Sequence, residues 1–167
     1  SGSATNVRHF KPGAAQEVGG GAPAGAGQIG GGGQAGGEVI GSEPGFFAPS
    51  ALGSTFSQWL NGSNAFVSDG AYATETATWD RQDYRDFGLT IPSGNTVTGI
   101  EIKLEASANT AAGSISVALS WDGGNSTTTT LKDTGTLTTT DAVYKLGGQS
   151  DTWGRSLSPS EFSNANF

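Results

Sequence analysis

Between Val97 and Ala106 the chain reads "VTGIEIKLEA", in which Ile100, Ile102, Leu104 and Ala106 alternate with Glu101, Lys103 and Glu105. A period of two puts the two sets on opposite faces of an extended segment, so the stretch predicts a strand with one buried and one wet face. "SISVALSW" (114–121) repeats the pattern, with Ile115, Val117, Leu119 and Trp121 inward and serines outward. "DFGLTI" (86–91) sets Phe87, Leu89 and Ile91 on one face and stops at "PSGN", where Pro92 and Gly94 predict a turn. "WDGGN" (121–125) predicts a second turn. The threonines of "TTTTLKDTGTLTTT" (127–140) favour strand, and "AVYKLGG" (142–148) turns Tyr144 and Leu146 inward. Only "SPSEFSNANF" (158–167) predicts a helical turn, with Ser158 as N-cap, Pro159 first and Glu161 behind it. Short strands and turns at this spacing predict an all-β fold, an antiparallel β-sandwich or jelly roll over residues 46–167.

Residues 1–45 carry no such pattern. Their large apolar groups are Val7, Phe10, Val18, Ile29, Val39 and Ile40, which repeat at neither two nor 3.6 residues. More than half of the 28 glycines fall here, most of them in "GGGAPAGAGQIGGGGQAGGEVIG" (19–41). Ordering a backbone costs about 1–2 kcal/mol per residue, and this tract has few side chains to offset it. The sequence therefore predicts an extended Gly-rich arm over 1–45, able to thread a narrow groove or lie between subunits. No acid precedes Glu17, so the tip "NVRHFKPG" is locally cationic. Arg8, His9, Phe10 and Lys11 are the candidate partner-binding residues. Arg8 suits a carboxylate and Phe10 an apolar pocket on a neighbouring protein subunit.

Charge and composition narrow the function. The net charge is −7 and residues 46–167 are acidic, so the basic face that nucleic-acid binding needs is missing. No apolar run approaches the roughly 18 residues of a membrane span, and there is no signal-peptide core. Zero Cys removes disulfides, thiolate metal sites and Cys nucleophiles. His9 is the only histidine, so a Ser/His/Asp triad would have to draw the arm into a site.

Each candidate for chemistry has a structural reading beside it. The sequence predicts no cofactor and no metal: Asp69 of "SDG" and Asp151 of "SDTWG" could contribute oxygens to a Ca²⁺ site, but the favoured reading is that they cap their own turns. Asp80, Asp83 and Asp86 supply the carboxylates of glycoside hydrolysis, yet lie close together in sequence beside Arg81 and Arg85, which neutralise them. Trp79, Tyr84 and Trp153 can stack on sugar rings or fill the core and its rim. Asn61 and Asn125 match the N-glycosylation pattern, which a Ser/Thr-rich chain meets by chance.

"SDGAYAT" (68–74), "FGLTIPSGNTVTGIEIKLEA" (87–106), "GGQSDTWG" (147–154) and "SPSEFSNANF" (158–167) follow one another in an order and spacing that resembles a β-sandwich module of phage virion appendages and bacterial surface proteins. The resemblance runs from about residue 59 and leaves the arm outside it. It implies a sandwich without catalytic residues, in which the segment after the "NF" element continues as a strand. Together with the arm it implies a non-enzymatic structural module of a virion (fibre, spike or decoration protein) or of an extracellular filament. The alternative is a carbohydrate-binding domain that recognises a surface glycan.

Overall fold

A computed structural model describes residues 5–13, for which the backbone alone is given, together with 46–111 and 113–167. Its strands are β1 (Thr5–Gly13), β2 (Ala51–Ser57), β3 (Ala73–Thr74), β4 (Gln82–Arg85), β5 (Ile100–Ala108), β6 (Ser116–Val117), β7 (Lys132–Asp133) and β8 (Ala142–Gly148). Two 3-10 turns, Gly62–Phe66 and Pro159–Phe162, are the only helical elements among the described residues. The fold is all-β. β3, β1, β5 and β8 form a four-stranded sheet in that order, while β2–β4 and β6–β7 are separate ribbons. Every strand pair is antiparallel, and the sheets are small and do not close.

β5 carries the core. Ile100, Ile102, Leu104 and Ala106 are fully buried, as their alternation predicts. Phe87, Val117, Leu119, Leu146, Trp153, Leu157, Phe162 and Phe167 share one cluster with the first three, and Tyr84 packs against it. Both ribbons therefore lie over the face of β5 that these residues present. A smaller cluster of Ala65, Ala73, Ala106, Ala108 and Leu137 fills the other end. At the β5–β8 end the indole of Trp153 donates to the Ile100 carbonyl at 2.9 Å. Gly147 makes room for it: its φ is 80°, and a Cβ there would collide with that carbonyl and with the indole.

The "SPSEFSNANF" turn forms as the sequence predicts. Ser158 and Glu161 make a capping box around Pro159–Phe162, and Arg155 closes on Glu161. This box sets Phe162 against Phe167, with ring centroids 4.8 Å apart. Of the strand predicted over "SISVALSW" only Ser116–Val117 forms, with Val117 and Leu119 buried and Ile115 and Trp121 half-buried. Three further predicted elements differ. "DFGLTI" is not a strand, because Asp86 at φ 60° and Gly88 at φ 68° break the extended chain; the strand is the preceding Gln82–Arg85. Phe87, Leu89 and Ile91 still reach the core from a loop. The Thr-rich stretch keeps only Lys132–Asp133 as strand, since Thr128 and Thr134 spend their hydroxyls on the backbone N–H groups of Leu119 and Ile115.

The third difference lies at the N-terminus. The sequence predicts an extended arm over 1–45, but Thr5–Gly13 is a strand inside the sheet, paired with β3 on one side and β5 on the other. The register explains why the pattern hides it. The pairing shifts between Val7 and His9, so Val7 lies opposite Ala106 and Phe10 opposite Leu104. Two residues three apart in sequence thus take register positions two apart on β5, which a β-bulge at Arg8 permits. The Gly-rich tract itself, residues 14–45, falls outside the described residues.

An interior strand cannot be removed cheaply. Deleting residues 1–13 is expected to abolish the cooperative thermal transition or lower its midpoint by at least about 10 °C, several kcal/mol for a chain of this size. An unchanged midpoint would show that the sheet folds without β1.

Candidate functional site

A trough of about 490 Å³ opens between the two ribbons. Ile102 and Leu104 of β5 form its floor, residues 79–85 one wall, and residues 115–120 the other. Asn166 and Phe167 line it as well. Among the described residues β4 pairs only with β2, and β6 only with β7. The β6 wall is a strand edge. Thr134 N–H donates to the Ile115 carbonyl and Thr128 N–H to that of Leu119, so the odd residues face the 127–134 segment that contains β7. In an antiparallel ladder the alternate residues then point the other way, which turns the backbone groups of Ser116 and Ala118 toward the trough.

The opposite wall is held by carboxylates. Asp83 Oδ2 accepts the Phe56 N–H at 2.9 Å where the β2–β4 register shifts, and so replaces a ladder bond. Gly53 and Gly124 close over it; a Cβ on Gly124 would sit 3.2 Å from Oδ2. Burial raises the Asp83 pKa, and the Phe56 N–H and Arg81 only partly oppose this. Asp80 accepts from the Thr76 hydroxyl at 2.8 Å and from the N–H groups of Ala77 and Thr76, which hold its carboxyl below the usual range. Asp86 sits at φ 60°, and its carbonyl accepts from Ser50. Asp80 and Asp83 are thus engaged in turn and strand geometry.

The three aromatic candidates part company. Trp79 is 88% exposed at φ 76°, a left-handed backbone that a bulky side chain rarely adopts. The Asp80 turn imposes that conformation, and Trp79 stands on the trough rim beside Arg81, whose guanidinium lies 3.6 Å over the Phe56 ring. Tyr84 lines the wall, donates to the Gly62 carbonyl at 3.2 Å and has its phenol pKa pushed far up by burial. Trp153 is only 1% exposed, so its ring faces are not available to a sugar; the Gly147 notch draws it into the core. Trp121, predicted inward, is half-buried beneath the Arg155 guanidinium at 3.8 Å.

Each member of the candidate calcium pair is engaged in its own turn. Asp69 caps the Ala71 N–H at 2.9 Å, and Asp151 caps that of Trp153 at 2.9 Å while pairing with Lys132 at 2.5 Å. No group of three or more His, Cys, Asp or Glu able to hold a metal ion occurs among the described residues. Asn125 donates to the Asp122 carbonyl at 2.7 Å, within its own turn. The backbones of Arg8, His9, Phe10 and Lys11 lie in β1. Among the described residues no helix is long and apolar enough to cross a membrane.

Sequence reasoning missed the trough. Its walls come from segments some thirty residues apart, and only the alternation of "SISVALSW" hinted at one of them. Compared with known proteins, the chain matches no family model, no curated protein and no solved structure.

The raised pKa of Asp83 has a definite sign. The folded carboxyl keeps its proton to higher pH than the unfolded one, so its contribution to stability falls as pH rises from about 3.9 through the folded value. Asp83→Asn keeps an acceptor for Phe56 and removes the desolvated charge. Denaturant unfolding should find the variant at least as stable as the parent at pH 7, with that advantage shrinking below about pH 4. A variant that loses stability at pH 7 relative to pH 4 would contradict the assignment.

Proposed function

We propose that the chain is a non-enzymatic structural module of a phage virion (a fibre, spike or decoration protein) or of an extracellular filament. In this reading it is an antiparallel β-sandwich of jelly-roll type. The four-stranded sheet is one layer, the two ribbons are the other, and the trough divides the second layer. The trough carries the proposal: an apolar slot with a strand edge along one wall suits the uptake of an extended polypeptide by strand addition. That is a way of joining chains. In the module that the sequence resembles, the segment after "NF" continues as a strand, and a strand laid beside Asn166 and Phe167 would complete the layer. The carboxylates of the wall support the non-enzymatic reading, because Asp80 and Asp83 already serve the turn and the ladder. Attachment to neighbouring subunits runs through the N-terminal segment with Arg8, His9, Phe10 and Lys11, and the site of action is the virion or cell surface.

Ala118 offers a selective test, because its N–H points away from β7 and a proline is tolerated on such an edge. Sedimentation of the full chain should show concentration-dependent association, weakened at least about tenfold by Ala118→Pro with an unchanged circular dichroism spectrum. This corresponds to about 1.4 kcal/mol. A chain that stays monomeric, or whose association ignores the substitution, contradicts the proposal.

One observation favours a second reading, recognition of a surface glycan. Trp79 keeps a large, exposed ring on a strained backbone, the signature of a side chain retained for an external contact. Trp79→Gly should leave the fold as stable as the parent or up to about 1 kcal/mol more stable, since glycine accepts φ 76°. On a glycan array the parent should bind and the variant should not. Equal binding by both, or none by the parent, removes this reading.

A further inference from the structure

The two ends of the Gly-rich tract meet the same part of the sheet. Gly13 lies opposite Glu101 on β5, and the Phe46 ring lies 5.6 Å from Lys103 Nζ and 5.9 Å from Lys145 Nζ, on β5 and β8. The next strand along the chain, β2, belongs to a separate ribbon, and connections between successive elements of a compact domain are usually a few residues long. Here residues 14–45 intervene, 32 positions of which 13 are glycine. Fully extended, they reach about 110 Å. The connection is far longer than pairing within one chain requires.

β1 also fills a slot that the fold cannot leave empty. It pairs with β5 at eight register positions, from Thr5 opposite Ala108 to Gly13 opposite Glu101, and with β3 at Asn6 and Val7. Withdrawn, it would bare a whole edge of β5 beside the fully buried Leu104 and Ala106, and would strip β3 of its strand partner in the sheet. The slot is specific, because its register is met only with the irregularity between Val7 and His9. Every copy of the chain presents the same slot and carries the same strand. A β1 that fits its own sheet therefore fits a neighbour's equally well, and exchange of identical elements costs little.

We propose that β1 is exchanged between copies, so that Thr5–Gly13 of one chain pairs with β3 and β5 of a second copy of this chain. The inference rests on the reading of the protein as an assembly module and names its partner. A tether of this length holds its own strand at an effective concentration on the order of millimolar. In dilute solution the cis pairing competes well. Where copies are packed at a similar local concentration, the trans pairing competes on equal terms and links neighbours through the hydrogen bonds of a sheet. It also gives Arg8, His9, Phe10 and Lys11 a partner surface while leaving them in a strand.

The absence of native cysteine makes the test clean. Lys11 and Lys103 are direct register partners, close enough for a disulfide once both are cysteine. K11C and isotopically labelled K103C full-length chains would be unfolded together, refolded at millimolar concentration and oxidised. Mass spectrometry should find the K11C–K103C heterodimer at least about tenfold more abundant than the dimer of K11C with an E101C chain, which is off register. An intramolecular disulfide in the double variant K11C/K103C, with no heterodimer in the mixture, would overturn the exchange. It would leave the assembly reading intact, because association through the trough is measured separately with Ala118→Pro. Failure of both to cross-link would overturn the exchange by showing that β1 does not occupy this register.

Discussion

The fold depends on covering one face of one strand. Ile100, Ile102, Leu104 and Ala106 lie on that face of β5 and are all removed from water. Burying the three larger side chains is worth about 5–9 kcal/mol, comparable with the whole stability of a small domain. No single neighbour can supply the cover. β8 and β1 flank the strand, the ribbons lie over it, and the aromatic residues of the C-terminal turn pack against its residues from loops. Positions that look incidental in the sequence follow from this. Gly147 yields its space to the Trp153 indole, and the Ser158–Glu161 capping box delivers Phe162 and Phe167 to the cluster.

What could be read from the sequence was whatever a period of two or a local cap writes down. β5, β8 and the inward run Val117–Leu119 are legible because each buries alternate residues. The Pro159 turn is legible because its cap is complete within four residues. β1 was not legible, because a bulge moves Val7 and Phe10 into step with β5 although their spacing is three. Nor was the fate of the tryptophans. Trp79 and Trp153 both sit in tight turns at positive φ, and only the notch at Gly147 decides that one is buried while the other stands in solvent. The trough was invisible for a further reason: it is the gap between two ribbons, and a gap leaves no residue pattern.

The functional reading follows from where the strand edges are left. Edges of sheets invite pairing, and proteins usually blunt them with charge, proline or a covering loop. The edge at Ser116 and Ala118 carries small side chains and faces an apolar floor. β1 of the four-stranded sheet is joined to the next strand, β2 of a separate ribbon, by a connection many times longer than is usual between neighbouring elements. In the proposed reading both features serve the joining of chains.

The central claim is that β5 is enclosed on both edges, by β1 as well as by β8. Native-state amide hydrogen exchange along Ile100–Ala108 tests it directly, because a strand with one neighbour protects only alternate amides. If both neighbours are in place, odd- and even-numbered amides of β5 should all exchange slowly, with free energies close to that of global unfolding. Fast exchange at every second residue, on the side that faces β1, would contradict the account.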